Sequence, residues 1–106
     1  MSEYTPEYWV KIRIDIDGKP DPLYKILGGW SGGYLDGDSW RINSGIERTM
    51  EFDDYYEYHG YSGSVYKCYK QNEGMGMPMA GVLGRMQKGI EGRGTVTIVP
   101  ASDGTD

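Results

Sequence analysis

The sequence has few of the residues that build helical bundles, disulfide-stapled folds or membrane spans. Alanine, the best helix former, occurs only at Ala80 and Ala101, which excludes a helical bundle. Cys68 is the single cysteine among 106 residues, so an internal disulfide is excluded and a reducing compartment is expected. No run approaches the roughly 20 apolar residues of a transmembrane helix, and the N-terminus lacks a signal-peptide pattern. These absences predict a soluble, cytoplasmic protein that does not associate with membranes.

Positive charge is also scarce, and it is scattered along the chain. The sequence has 11 basic and 16 acidic residues, which gives a net charge of -5 at pH 7. Proteins that bind nucleic acid usually neutralise several phosphates with clustered Lys and Arg side chains. We therefore do not expect nucleic acid to be a partner.

Glycine and aromatic residues are abundant instead. The chain contains 17 Gly, 10 Tyr, 3 Trp and 1 Phe. Its length suits one domain with one small core. We assign residues 1–99 to a single β-rich domain and residues 100–106 to a flexible C-terminal tail, because that last segment is short and polar.

The clearest element is a strand at residues 8–16. Apolar and polar residues alternate strictly there, as they do in a strand with one face on a core and the other in water. The predicted core face consists of Tyr8, Val10, Ile12, Ile14 and Ile16. The predicted solvent face consists of Trp9, Lys11, Arg13 and Asp15.

Further strand-like runs follow at short intervals and are separated by Gly, Pro and Asp turns. They lie at residues 23–29, 34–43, 46–52, 55–58, 64–70 and 95–99, and the second of them contains the hairpin dipeptide Asp36-Gly37. The spacing predicts an all-β, mainly antiparallel fold of about six to eight short strands, as a small sandwich or open barrel. Residues 79–88 fit one short helix, although Gly81 and Gly84 weaken it.

Residues with catalytic or metal-binding chemistry are few. Asp15, Asp17 and Asp21 surround a glycine turn, but the later bidentate Glu of a calcium loop is missing, and we interpret them as turn residues. His59 and Cys68 are unique, yet a hairpin between them places His59 opposite about residue 64. We therefore predict no catalytic dyad, no metal and no cofactor, and we do not expect an enzyme.

The surplus of large aromatic side chains is the main functional signal. Two similar segments, residues 29–32 and 60–63, read Gly-aromatic-Ser-Gly, and we interpret both as tight corners. Aromatic rings near such corners either fill the core or form a binding surface. The candidate binding residues are Trp30, Tyr34, Trp40, Tyr61 and Tyr66.

An acidic patch is predicted around a pair of tyrosines. It consists of Glu51, Asp53, Asp54 and Glu57. Carboxylates at a turn are usually solvated, and they keep a sheet from pairing edge to edge. The functional alternative is recognition of a basic protein surface, which needs only charge complementarity and aromatic anchors.

Two segments of the sequence resemble segments of other proteins. The segments Gly33-Tyr34-Leu35-x-Gly37-Asp38-Ser39-Trp40-Arg41 and Gly60-Tyr61-Ser62-Gly63-Ser64-Val65-Tyr66 look like runs in short uncharacterised proteins of marine tailed phages. The similarity covers residues 24–70 and brings no catalytic motif. It implies the cytoplasm of an infected bacterium as the location, and an accessory role such as binding a host factor.

Three functions remain open at this stage. The first is a small all-β binding module and homo-oligomer, which uses an aromatic-rich face for a protein partner or for self-association. The second is a small-molecule binder or small enzyme with a pocket at the Gly-aromatic-Ser-Gly corners. The third is a structural protein of a virion.

Overall fold

Strands dominate the chain. The computed structural model describes residues 2–33 and 37–102. The strands of this part are β1 (Glu3–Tyr4), β2 (Tyr8–Ile16), β3 (Leu23–Gly33), β4 (Gly37–Ile42), β5 (Ile46–Glu51), β6 (Tyr55–Gly60), β7 (Val65–Tyr69) and β8 (Gly94–Val99). A 3-10 turn spans Lys70–Asn72, and the helix α1 spans Met77–Ile90. The prediction of an all-β fold with one short helix is confirmed.

The strands form two four-stranded sheets. Sheet I has the order β1-β7-β6-β5, and sheet II has the order β4-β3-β2-β8. Neighbouring strands are antiparallel except β1 and β7, which are parallel. One face of sheet II packs against sheet I and its other face packs against α1. The result is three layers with a core on each side of sheet II.

Strand β2 contributes to both cores because its side chains alternate between the two faces. On the α1 side, the buried residues are Val10, Ile12, Ile14, Leu27, Met79, Val82, Leu83 and Val96. On the sheet I side, they are Trp9, Ile26, Tyr58, Tyr66, Cys68 and Ala101. The Trp9 ring centre lies 5.7 Å from that of Tyr58, and its indole N–H donates to the Tyr69 carbonyl at 2.8 Å. Trp9 therefore joins the two sheets.

The prediction that the second face of β2 meets water is wrong for its first half. Trp9 has no exposed surface because it packs against Tyr56 and Tyr58 of sheet I, and Lys11 is only 3% exposed. The Lys11 ammonium donates to the Ala101 carbonyl at 3.4 Å and lies 5.0 Å from the Tyr24 ring centre. Further along the same face, Arg13 and Asp15 form a partly exposed ion pair.

Helix α1 extends beyond the predicted 79–88 at both ends. Its apolar residues recur at helical spacing and face sheet II, whereas Gly81, Gly84 and Gly89 lie on the exposed side. Glycine costs about 1 kcal/mol of helix propensity there but removes no core contact. A proline in the first turn and Gly92, with a φ of 85°, mark the two ends. Burial of the apolar stripe thus outweighs the weak propensity.

The first Gly-aromatic-Ser-Gly segment is not a corner. Residues 29–32 lie inside β3, which continues to Gly33 and pairs with β4 through a register shift after Trp30. Gly29 admits the Tyr8 ring, since a Cβ at that position would overlap it. Residues 60–63, in contrast, form the turn between β6 and β7. The two similar segments therefore have different structures.

The chain crosses from sheet II to sheet I at Asn43. Its side-chain oxygen accepts hydrogen bonds from the Ile26 N–H at 2.9 Å and the Gly45 N–H at 3.3 Å. The backbone N–H of Asn43 donates to the Ile26 carbonyl at 3.1 Å. Gly45, with a φ of 128°, then turns the chain into β5. One buried side chain thus holds the crossover between the layers.

The segment after β8 is anchored at its start. Ala101 is buried, and its N–H donates to a Glu73 carboxylate oxygen at 3.0 Å. Residues 103–106 of the predicted tail lie outside the described residues. Within the described ranges, no helix is long and apolar enough to cross a membrane.

Replacing Asn43 with Ala should lower the free energy of unfolding by about 2 to 3 kcal/mol, because two buried N–H groups lose their acceptor. Urea denaturation measures the change. The matched control is Asn72→Ala, since the Asn72 side chain forms no hydrogen bond with the part of the chain described. Equal effects of the two substitutions would contradict a special role of Asn43.

Trp9 and Trp40 should differ sharply in their contribution to stability. Trp9→Ala should cost about 3 to 5 kcal/mol, because Trp9 is fully buried between the sheets. Trp40 is 45% exposed, so Trp40→Ala should cost within about 1 kcal/mol. The same denaturation experiment tests both values, and a larger loss in Trp40→Ala would argue against the observed layering.

Candidate binding surface

The outer face of sheet I points away from sheet II and carries a mixed aromatic and charged surface. Alternation along β6 turns Tyr56 and Tyr58 inward and Tyr55, Glu57 and His59 outward. Their partners across β7 on the outer face are Tyr69, Lys67 and Val65, respectively. Strand register therefore decides which side chains meet on this face.

Three rings form a row that we call the aromatic ladder: Phe52, Tyr55 and Tyr69. The Phe52 and Tyr55 rings are stacked, with centres 4.7 Å apart and planes 20° apart. The Tyr55 and Tyr69 ring centres are 5.6 Å apart. Phe52 at the end of the row is 37% exposed. Exposed aromatic rings supply large contact area with little loss of side-chain entropy on binding.

A tight turn fixes the end of the ladder. The Phe52 N–H donates to the Tyr55 carbonyl at 2.8 Å, which closes the turn at Asp53 and Asp54. The Asp54 carbonyl in turn accepts the Lys70 N–H at 2.8 Å. The turn is thus tied to the neighbouring 3-10 turn, and the two aspartates are held beside the stacked rings.

One lysine lies over the ladder rings, and a second lies beside the inward-facing Tyr56. The Lys67 ammonium lies 4.5 Å from the Tyr55 ring centre and 5.4 Å from that of Tyr69. A hydrogen bond with the Tyr69 side chain raises the pKa of Lys67. The Lys70 ammonium lies 2.8 Å from a Glu51 carboxylate oxygen, and this hydrogen bond raises the pKa of Lys70. Both lysines therefore stay charged.

The predicted acidic residues divide into paired and unpaired carboxylates. Glu51 pairs with Lys70, and Glu57 lies 3.3 Å from the His59 ring nitrogen. Asp53 and Asp54 are exposed and form no ion pair with any described residue. The carboxylates of this region that form no ion pair therefore lie at the turn beside Phe52, where Asp53 still contributes to raising the pKa of Lys70.

The predicted aromatic residues do not form one surface. Trp30 lies opposite Ser39, whereas Trp40 lies opposite Gly29, so the two indoles point to different faces of sheet II. Tyr61 is 65% exposed, in the turn between β6 and β7. Tyr34 lies outside the described residues.

Tyr66 belongs to the core. It is 1% exposed, and its ring centre lies 5.2 Å from that of Tyr4. Trp30 packs edge-on against the same Tyr4, and the Arg41 guanidinium lies 4.5 Å from the Tyr4 ring centre. These contacts close one end of the space between the sheets, so Tyr66 is not accessible to a partner.

Sequence reasoning missed the ladder residues and Lys67 as site candidates. The available signal was alternation: Tyr55, Lys67 and Tyr69 occupy outward positions once Tyr58 is placed in the core. Phe52 offered no such signal, because it lies in the turn after β5 and its contact with Tyr55 depends on the turn geometry.

His59 and Cys68 lie on opposite faces of sheet I. His59 pairs with Val65 on the outer face, while Cys68 pairs with Tyr56 on the inner face. Burial raises the pKa of the Cys68 thiol, which keeps it protonated at neutral pH. The two side chains therefore have no geometry for joint nucleophilic chemistry.

An open depression occurs at the other end of the outer face. Among the described residues it is lined by Glu47, Arg48, His59, Gly60, Gly63 and Ser64. It therefore adjoins the second Gly-aromatic-Ser-Gly segment, but Trp30, Trp40 and Tyr61 are not among its lining residues. Across the ranges 2–33 and 37–102, no group of three His, Cys, Asp or Glu side chains is placed to hold a metal ion.

Comparison with known proteins adds no relative. No family model, no curated protein and no solved structure matches the chain. Neither a fold nor a function is therefore carried over from another protein, and the phage resemblance stays a prediction.

Alkaline pH should destabilise the protein through its buried phenols. Burial raises the pKa of Tyr66 to about 12, with a smaller opposing effect of Arg41, while burial also raises the pKa of Tyr58. The unfolded chain loses these protons near pH 10.0. The stabilisation is thus fully present below pH 10.0 and should be lost as the pH rises toward about 12.

Urea denaturation at increasing pH measures this loss. Tyr66→Phe should reduce the slope, with Tyr58 supplying the remainder, whereas Trp40→Phe should leave the slope unchanged, because it changes an exposed ring that carries no phenol. A slope that is the same in both variants would contradict the assignment to Tyr66.

Proposed function

We propose that the protein is a binding module that recognises a basic segment of a partner protein. The recognition surface is the aromatic ladder together with Asp53 and Asp54. The observation that carries the proposal is the stacked, partly exposed Phe52 ring, held by a hydrogen-bonded turn beside two carboxylates without ion pairs among the described residues.

The surface supplies both parts of a protein-recognition site. An apolar or aromatic anchor of the partner gains contact area on Phe52, and a neighbouring Arg or Lys meets Asp53 or Asp54. The face of the ladder near Lys67 already holds a cation. The partner's cations therefore approach from the side of the turn, where Asp53 and Asp54 form no ion pair with the described residues.

The charge of the whole chain acts in the same direction. A net charge of -5 attracts a basic partner over a range of about 8 Å at physiological salt and repels acidic ones. Such long-range attraction mainly raises the association rate, whereas the contacts at Phe52 slow dissociation. Binding is consequently expected to weaken as salt is added.

The cellular setting is part of the same proposal. A single buried thiol suits a reducing cytoplasm. The resemblance to proteins of marine tailed phages supports an accessory role in an infected bacterium, where a basic segment of a host protein is the partner.

Removing the two free carboxylates should weaken binding of basic peptides. The probes are fluorescent peptides that interleave Arg or Lys with Leu or Tyr, and the binding is followed by anisotropy. Asp53→Asn/Asp54→Asn should raise the Kd roughly threefold to tenfold, since an exposed ion pair contributes up to about 1 kcal/mol. Phe52→Ala should raise it roughly tenfold, as expected for an aromatic anchor.

Two matched variants control this experiment. Asp17→Asn/Asp21→Asn removes the same charge from an exposed turn away from the ladder, and Trp40→Ala removes an exposed aromatic ring from sheet II. Both should bind the basic peptides like the unmodified chain, and peptides with Glu in place of Arg and Lys should not bind. Equal losses in the test and control variants would refute this surface.

A further inference from the structure

Strand β8 leaves one edge of sheet II open. It pairs only with β2, and its residues, Gly-Thr-Val-Thr-Ile-Val, carry no charge and are mostly β-branched. Exposed strand edges usually carry charged residues that block pairing with other strands. Among the described strands, β5 carries Glu47, Arg48 and Glu51 at the open edge of sheet I, and β4 carries Arg41 at the other edge of sheet II. The residues of β8 itself carry no such charge, although Gln87 of α1 and Glu91 just beyond it lie beside the strand.

The backbone groups at this open edge belong to Gly94, Val96 and Ile98. The Asp17 N–H donates to the Arg93 carbonyl, which fixes the phase of the hydrogen-bond ladder between β2 and β8. Because hydrogen-bonded and non-hydrogen-bonded pairs alternate in an antiparallel ladder, the backbone N–H and C=O groups of Thr95 and Thr97 point toward β2. The Val96 carbonyl faces outward and accepts the Gln87 side-chain N–H at 2.9 Å. The outward N–H and C=O of Ile98 have no partner among the described residues. Ile98 is also 45% exposed.

The strand is complementary to itself in the antiparallel direction. If Thr97 lies opposite its own counterpart, Val96 lies opposite Ile98 and Thr95 lies opposite Val99. Thr–Thr is a favourable cross-strand pair, and the β-branched Val, Ile and Thr side chains pack well on a pleated surface. The outward groups of Val96 and Ile98 then bond to each other across the edge. One residue further on, Pro100 lacks an N–H and ends the ladder.

We propose that β8 pairs with β8 of a second copy of this chain, around a two-fold axis at Thr97. The pairing joins the two copies of sheet II into one continuous sheet and covers Ile98. Each copy carries a net charge of -5, but the contacting strands are uncharged, and Glu91 beside the edge is the nearest source of repulsion. This interface is separate from the aromatic ladder, which lies on sheet I.

The area of the contact sets the expected affinity. A pair of six-residue strands buries less than the roughly 1,200 Å² of a stable standard interface. Formation of the pair also releases Gln87 from the Val96 carbonyl. We therefore expect a reversible dimer that dissociates on dilution.

The first experiment compares two lysine substitutions on edge strands by sedimentation velocity. Ile98→Lys places a charge on β8, and Met50→Lys places the same charge on β5, where Met50 is 39% exposed. The unmodified chain and Met50→Lys should shift from monomer to dimer as concentration rises, whereas Ile98→Lys should remain monomeric. A monomer at every concentration of the unmodified chain, or loss of the dimer in Met50→Lys alone, would overturn the proposal.

The second experiment tests the register by disulfide trapping. In the proposed pairing, residue 97 lies about 4.5 Å from its counterpart between Cα atoms, whereas residue 95 is displaced by about 13 Å along the strand. Thr97→Cys should therefore form a covalent dimer under mild oxidation, and Thr95→Cys should not. The unmodified chain is the blank, because its Cys68 is buried. Efficient cross-linking of Thr95→Cys, with none of Thr97→Cys, would refute the register.

The peptide-binding experiment and the dimer experiments test the two proposals independently of each other. Ile98→Lys should keep its affinity for the basic peptides, since β8 lies on the other sheet. Asp53→Asn/Asp54→Asn should keep the concentration-dependent dimer. Loss of the dimer in that double variant would place the self-association on the outer face of sheet I instead of on β8.

Discussion

The burial of strand β2 on both faces is the constraint on which the other layers depend. This strand supplies Val10, Ile12 and Ile14 to the core beside the helix and Trp9 to the core beside sheet I. Because Trp9 contacts Tyr56 and Tyr58 and bonds to the Tyr69 carbonyl, it positions β6 and β7 directly. The inward residues of those strands are thereby fixed, and alternation turns the ladder residues outward. A recognition surface on sheet I is thus a consequence of packing at β2.

Much of the architecture was readable from local patterns, since hairpin spacing and period-two alternation depend on near neighbours. The number of strands, their antiparallel arrangement and one helix were predicted correctly. Alternation cannot tell, however, whether a polar-looking face meets water or another sheet. A buried lysine looks the same in sequence as one in solvent, and Lys11 was therefore misplaced. Trp9 on that same face was the sequence signal that this face is buried.

The candidate site was less predictable because it depends on register between distant strands. The separation of Trp30 from Trp40 follows from a one-residue offset across β3 and β4, which no composition argument supplies. The acidic turn was recognised, but the stacking of Phe52 on Tyr55 requires the turn geometry. The glycines of the first Gly-aromatic-Ser-Gly segment were misinterpreted as well. Those at 29–32 looked like a corner, yet they lie in a strand, where the absence of a side chain at Gly29 admits the neighbouring Tyr8 ring.

The position of Cys68 has a consequence for observing the molecule in motion. This thiol lies on the inner face of sheet I with no exposed surface, among the rings that join the two sheets. A thiol-modifying reagent reaches it only when the sheets separate or the chain unfolds. Cys68 is therefore a natural probe of the separation of the two sheets. The rate at which a reagent modifies it under native conditions reports how often the sheets separate.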